Sequence, residues 1–499
     1  MLKDILEIHQ FVTSVYGKQE ASPERMAGKK QNSLLLKFAR GVHEKKFSDD
    51  CGALKYLFGS DGKNGSSYRI LKFRYKERLL DLLFLRDMNR QLRFAPDRAL
   101  FNLQRTMHAA TILFLRDHID TSITLIKPAV NSAIQFNHTH IAVHGLKLLC
   151  RYAAFRGLKN EFRSYNELLR KQIAQYKAET EIEQILNTII SSIVNVTVYS
   201  LEISRLLKKS YAKSQKIVQQ FPSHNNNLRF YRISVHYFHH LKQYRKIISL
   251  SRECQKYLTS NPHLFQRSVA GEFSLMEMEA WLQLCDFRNG HECAKRCLMH
   301  FPVNSSHWYI FNEYYFLLAM RTGNYTDALQ IFYAAASFTR FKKLPSIQQE
   351  RWRIFEAYLN FVLPDELPKK NFRLFKFVNE VSLAGKDKGG YNFSILIAQI
   401  ILLINIDELF RLIDLERPFR LYCSRYIKQK THPRHFAFAK LIKLYFKHLG
   451  QNAQIKEPSR QWLYFLKCHK SEYDAFEESE IIPYETLWKM ILKKNRVYR

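Results

Sequence analysis

The chain has 499 residues, 46% hydrophobic, 25% charged and 14% aromatic, which excludes a disordered or collagen-like polypeptide. Only 16 Gly and 13 Pro are present, too few to turn the short strands of a large β-sandwich or barrel, so helix is left as the dominant element. Against 45 Asp and Glu stand 78 Lys and Arg, a net charge of +33 that attracts nucleic acid, anionic membranes or acidic protein surfaces without deciding the fold.

The N-terminal stretch MLKDILEIHQFVTSVYGKQE carries acids within its apolar residues and has no small-residue cleavage site, a poor secretory signal. It predicts one short amphipathic helix, followed by the polar link EASPERMAGKKQN. Residues 33–85 form a compact basic unit. Its first helix sets Leu35, Leu36, Phe38, Ala39 and Val42 on one side, and Ser48 is the expected N-cap of SDDCGALKYLFG. After the turn GSDGKNGSS, Ser66 or Ser67 is the expected cap of a third helix, with Ile70, Phe73, Leu79, Leu80 and Leu83 as its apolar side. Residues 1–90 are thus expected to form a basic helical unit compatible with a helix-turn-helix.

Residues 95–365 are helix after helix, with a repeat. Pro222, Pro262, Pro302 and Pro345 recur after 40, 40 and 43 residues. Inside the intervals Tyr244, Phe287 and Tyr325 each open a helix, 22, 25 and 23 residues after the preceding Pro. One unit is a helix, a tight turn, a second helix and a Pro-marked exit, where Pro fits because it lacks the N–H a continuing helix needs.

The segment GNYTDALQIFYAAA resembles the second half of a tetratricopeptide repeat: Gly323 at the turn, Tyr325 beneath it, then Ala328, Phe332 and Ala335 at small-large-small packing positions. In CDFRNGHECAKRCLMHFP, Phe287, Ala294, Cys297 and Pro302 fall in register, while Gly290 replaces the usual Ala and Cys285 the turn Gly. The spacing exceeds the 34 residues of that family, so the array is tetratricopeptide-like. The order of segments, including SLAGKDKGGYNFSILIAQIILLI and RPFRLYCSRYIKQ, also resembles a family of uncharacterised bacterial helical-repeat proteins, a resemblance that brings no function with it.

Residues 366–499 predict a C-terminal helical cap. GKDKGGYN is a turn, Asn392 or Ser394 starts the buried helix ILIAQIILLINI, and basic helices follow over 408–427 and 435–448 before closing helices over 461–468 and 484–494. The apolar run 395–404, broken by Gln399, is about half the ~20 residues of a spanning helix, so no membrane insertion is expected.

No catalytic constellation satisfies its spacing, and no cofactor or metal site is expected. Cys285, His291, Cys293, Cys297 and His300 crowd together, but not at zinc-finger spacing; Cys293 and Cys297 stand i, i+4 on a repeat helix, where Cys acts as a small hydrophobe. His140 and His144 would share a helix face, but Ile141 stands where a zincin has its Glu. The turn GSDGKNGSS lacks the ending of a phosphate-binding loop. All eight cysteines are scattered, as in a reduced cytoplasmic protein.

Two basic segments are the polyanion candidates. Arg69, Lys72, Arg74, Lys76 and Arg78 interleave with Tyr68 and Tyr75, and Arg69, Lys72 and Lys76 form a helical stripe suited to phosphates. Residues 417–447 carry nine Lys and Arg, including Arg417, Arg420, Arg425 and Lys428, and no acid; Phe419, Tyr422, Tyr426 and Phe436 among them fit either a polyanion site or a core beneath solvated cations. The resulting expectation is an all-α, tetratricopeptide-like α-solenoid acting as a non-catalytic scaffold for a protein or peptide partner. The alternative is a nucleic-acid-binding or regulatory protein working through its N-terminal unit.

Overall fold

In a computed structural model the described residues are 2–16, 22–23, 33–59, 65–85, 92, 94–193, 201–338, 341, 344–363, 391–448, 451–469 and 480–494. Among them the regular elements are all helices, with no strand, and no helix is long and apolar enough to cross a membrane. The chain divides into two compact units, Met1–Ala174 and Gln175–Arg499.

The first unit begins with α1 (Leu2–Tyr16), α2 (Leu34–His43), α3 (Asp50–Phe58) and α4 (Gly65–Leu85). Ser33 caps α2 by accepting from the Leu36 N–H. Asp49, not Ser48, caps α3, its carboxylate accepting from the Gly52 N–H at 2.7 Å, a stronger charge-assisted bond than a hydroxyl would make. Ser66 and Ser67 lie inside the first turn of α4. The buried face of α4 also differs from expectation: Tyr68, Leu71, Tyr75 and Leu79 point inward, while Ile70 and Phe73 are 53% and 57% exposed. The inward row packs both tyrosine rings edge-on against Phe38, and each hydroxyl finds a partner, Asp50 for Tyr68 and His9 Nδ1 for Tyr75. Next come α5 (Ala95–Leu115), α6 (Ile119–Gln135) and α7 (Thr139–Phe155), packed in sequence around Met107, Ile126, Leu146 and Leu149.

The boundary between units falls within α8 (Lys159–Ile193). Then follow α9 (Leu201–Gln220), α10 (His224–His240), α11 (Tyr244–Ser260), α12 (Arg267–Leu284), α13 (Phe287–Cys297), α14 (Ser306–Thr322), α15 (Tyr325–Ala336) and α16 (Ser346–Val362). From α9 to α16 each helix packs on the next. Tyr244, Phe287 and Tyr325 are the first residues of α11, α13 and α15, as their spacing predicts. Two residues before each stands a left-handed backbone, at Lys242 (φ 54°), Cys285 (φ 52°) and Gly323 (φ 79°). At each turn the following residue's N–H reaches back five positions, Gln243 to Phe238, Asp286 to Trp281 and Asn324 to Ala319, the helix-ending bond that satisfies an orphan carbonyl. The same turn recurs at Asp117, Asn137, Gly157 and Asp407. Pro262 opens a short 3-10 turn, Pro262–Leu264, and Pro345 stands immediately before α16, so these two prolines do mark exits.

The C-terminal part contains α17 (Tyr391–Asn405), α18 (Leu409–Asp414), α19 (Glu416–Tyr426), α20 (Pro433–Lys447), α21 (Asn452–Cys468) and α22 (Tyr484–Lys494). Asn392 and Ser394 lie buried inside α17 instead of capping it, and the one helix expected over 408–427 is two. The expected turn over 385–390 lies outside the described residues. Arg434, from the basic segment, is buried: its guanidinium meets both oxygens of Glu480 at 2.6 and 2.8 Å, Glu485 at 2.9 Å and the Leu466 carbonyl at 2.7 Å. Those two carboxylates hold the guanidinium in its charged form against the effect of burial.

Candidate anion-binding cleft

A cleft of about 920 Å³ opens between α11, α12 and the short turn Leu298–His300 that follows α13. One face of α11 supplies Arg252, Gln255, Lys256 and Thr259, which recur at helical spacing. Phe265 and Ala270 line it from the start of α12 and the link before it, and Arg296, Met299 and His300 from the far side.

Behind the lining arginines stands Glu277, whose side chain has no exposed surface. The carboxylate accepts from Arg252 Nε at 2.8 Å, from Arg296 Nη2 at 2.7 and 2.8 Å, and from Gln255 Nε2 at 3.4 Å. Both arginines keep nearly half of their side chains exposed, at 48% and 44%. Arg252 also lies over the Trp281 ring, 5.6 Å from its centroid. Each guanidinium carries five N–H donors in a plane, so pinning one edge to Glu277 leaves others directed outward. Arg267 holds the opposite wall by donating to the carbonyls of Met299 and, at 2.9 Å, His300.

Behind Glu277 the thiols of Cys293 and Cys297 are fully buried, 3.8 Å apart. The Cys293 thiol donates to Cys297, which with help from His300 and Ser274 draws the Cys297 thiol down against the effect of burial and pushes Cys293 up. Glu277, Cys293 and Cys297 bring metal-ligand atom types within 4.8 Å of one another. The carboxylate, however, is committed to two guanidinium charges, which oppose a dication there. Cys285 is exposed, at the left-handed turn. His140 and His144 are exposed on α7.

The sequence-derived candidates lie elsewhere. Arg69, Arg74 and Arg78 are exposed on α4 and Lys76 is half-buried, but Lys72 bonds Asp50 at 2.7 Å and covers the Tyr68 ring, so the Arg69–Lys72–Lys76 stripe is interrupted by an ion pair. That ammonium holds the Asp50 carboxyl below its ordinary range. Tyr68 and Tyr75 face the core rather than a ligand. Arg417, Arg420, Arg425 and Lys428 are exposed on and just after α19, with Arg420 paired to Glu416, Arg425 over Tyr426 and Lys428 Nζ donating to the Ser424 carbonyl at 2.7 Å. Phe419 and Tyr422 are core aromatics beneath them.

Sequence reasoning missed the cleft because its key residue carries no local mark. In FSLMEMEAWLQL nothing separates Glu277 from Glu279, yet the second pairs with His239 at 3.2 Å while the first anchors two arginines. No family model, curated protein or solved structure matches the chain.

Proposed function

We propose that this chain is a non-catalytic interaction scaffold, a tetratricopeptide-like α-solenoid that holds a protein or peptide partner on its helical-repeat surface. The observation that carries the reading is the open cleft beside α11, α12 and α13, where Arg252 and Arg296 are half-exposed and fixed in place by a fully buried Glu277. Recurrence of one left-handed turn between successive helices supports the repeat, since stacked helix pairs of this kind offer extended binding surfaces. In this reading the protein is cytoplasmic, the basic residues of α4 and α19 belong to flanking helical units, and Cys293 and Cys297 are packed thiols without a metal.

The test is binding of the full chain to labelled peptides of acidic, basic, neutral and apolar composition, followed by hydrogen exchange. Peptide-dependent protection within residues 201–362 is the expected result; binding to none of them, or protection confined elsewhere, rejects the scaffold. A second reading, nucleic-acid binding through the N-terminal unit, is favoured by the exposed Arg69, Arg74 and Arg78 on α4. It requires duplex DNA binding that falls steeply with salt and is lost when those three are replaced.

A further inference from the structure

We infer that the occupant of the Arg252–Arg296 cleft is an acidic peptide segment, with a side-chain carboxylate set between the two guanidinium groups and a neighbouring apolar side chain against Phe265 and Met299. The inference rests on the scaffold reading above and names the chemistry of its partner. Four cationic side chains, Arg252, Lys256, Arg267 and Arg296, line the opening, and the buried acid that holds two of them is Glu277. Glu277 neutralises one of the two charges it touches, so the arginine pair keeps a net positive charge for an anion, to which Lys256 and Arg267 add.

Arginine suits this task because its planar fork meets the two oxygens of a carboxylate, and here the fork is held before any ligand arrives, which lowers the ordering cost of binding. Lys256, one turn beyond Arg252 on α11, extends the positive strip along the direction a peptide would run. Arg267 is occupied by the Met299 and His300 carbonyls, so it contributes charge and holds the wall. The walls themselves are largely apolar: Phe265 and Ala270 line one side and Met299, 70% exposed, the other. An aliphatic or aromatic neighbour of the acid can shed water there, which a phosphodiester backbone cannot do.

The experiment is fluorescence anisotropy on the full chain with a short labelled peptide of alternating Glu and Leu. Companion peptides carry Gln in place of Glu or Ser in place of Leu, and inorganic phosphate and duplex DNA serve as competitors. The Glu–Leu peptide is expected to bind about tenfold more tightly than either companion, and Arg252→Gln with Arg296→Gln to remove that preference. Because the double variant strands Glu277 and risks misfolding, Lys256→Ser, at an exposed position outside that network, is expected to weaken binding by a few-fold with the melting temperature unchanged. Lys159→Gln with Arg163→Gln, which removes from exposed α8 positions the same two charges as the arginine double variant, is expected to have no such effect.

Equal binding of the Gln–Leu peptide with protection at the cleft overturns the carboxylate assignment and leaves the scaffold standing. Binding of no peptide rejects both. An equal loss in the α8 control reduces the effect to net charge and overturns the inference, as does DNA or phosphate competing through the same arginines more tightly than the peptide binds.

Discussion

Arg296 Nη2 lies 2.7 and 2.8 Å from the two carboxylate oxygens of Glu277, a side chain with no contact with solvent. Arg252 reaches the same carboxylate at 2.8 Å from the neighbouring helix. Arg296→Ala is therefore expected to cost about 2 kcal/mol, the penalty of a buried charged acceptor losing its main donor. Arg252→Ala with Arg296→Ala should cost more than the sum of the single losses, since only the double variant leaves the carboxylate without a guanidinium. Urea unfolding of the three variants checks it, and strict additivity would reject the shared anchor.

Ala328 is fully buried on α15 within the core that includes Phe332, Ala335 and Trp352. Ala328→Arg forces a long cation into that space and is expected to remove about 4 kcal/mol, as unpaired buried charges do. A melting temperature within a degree or so of the unaltered chain would place this face in solvent and break the repeat register.

In the proposed tetratricopeptide-like register Gly290 stands where Ala is usual, and a Cβ there would stand 2.2 Å from Leu318 Cδ2 on α14. Gly290→Ala is expected to cost about 1–3 kcal/mol by overpacking, despite the better helix propensity of Ala. Adding Leu318→Ala should cost less in that background than it does alone, because the added methyl fills part of the hole. Chemical denaturation of the two singles and the double decides the point.

Burial pushes the Glu356 carboxyl up to about 7 from an ordinary 4.5, with Arg353 opposing the shift. The folded chain then holds this proton more tightly than the unfolded one. Its contribution to stability is full below about pH 4.5 and is lost as the pH rises through about 7. Glu356→Gln should flatten that part of the profile and make the variant the more stable of the two at about pH 8. His224, held near 4 by burial, acts in the opposite sense, its contribution being lost as the pH falls from about 6.5 toward 4, so the comparison must be between variants and not along one curve. Urea midpoints across this range test it; parallel profiles would show that Glu356 is hydrated.

Helix as the dominant element was legible because Gly and Pro are scarce, and the helix starts at Tyr244, Phe287 and Tyr325 were legible because a bulky ring recurs 22 to 25 residues after a proline. The turn at Gly323 was legible from its glycine and the one at Cys285 from register alone. Lys242 and Cys285 adopt the same left-handed backbone without the residue type that ordinarily marks it, because packing of the flanking helices dictates the turn. Periodicity misassigned Ile70 and Phe73, since two tyrosines with hydrogen-bonded hydroxyls outcompeted plainer hydrophobes for the inner face of α4. The cleft was not legible at all: its residues come from three helices, and their meeting at Glu277 is a tertiary fact.

The buried meeting of Arg434 with Glu480 and Glu485 also sets an order of events in the making of the protein. Arg434 stands 46 and 51 residues before Glu480 and Glu485, so its guanidinium must stay hydrated until that later segment docks on α20. Sealing of this part of the core therefore waits on Glu480 and Glu485, without which the guanidinium of Arg434 would be a buried charge with no counter-ion.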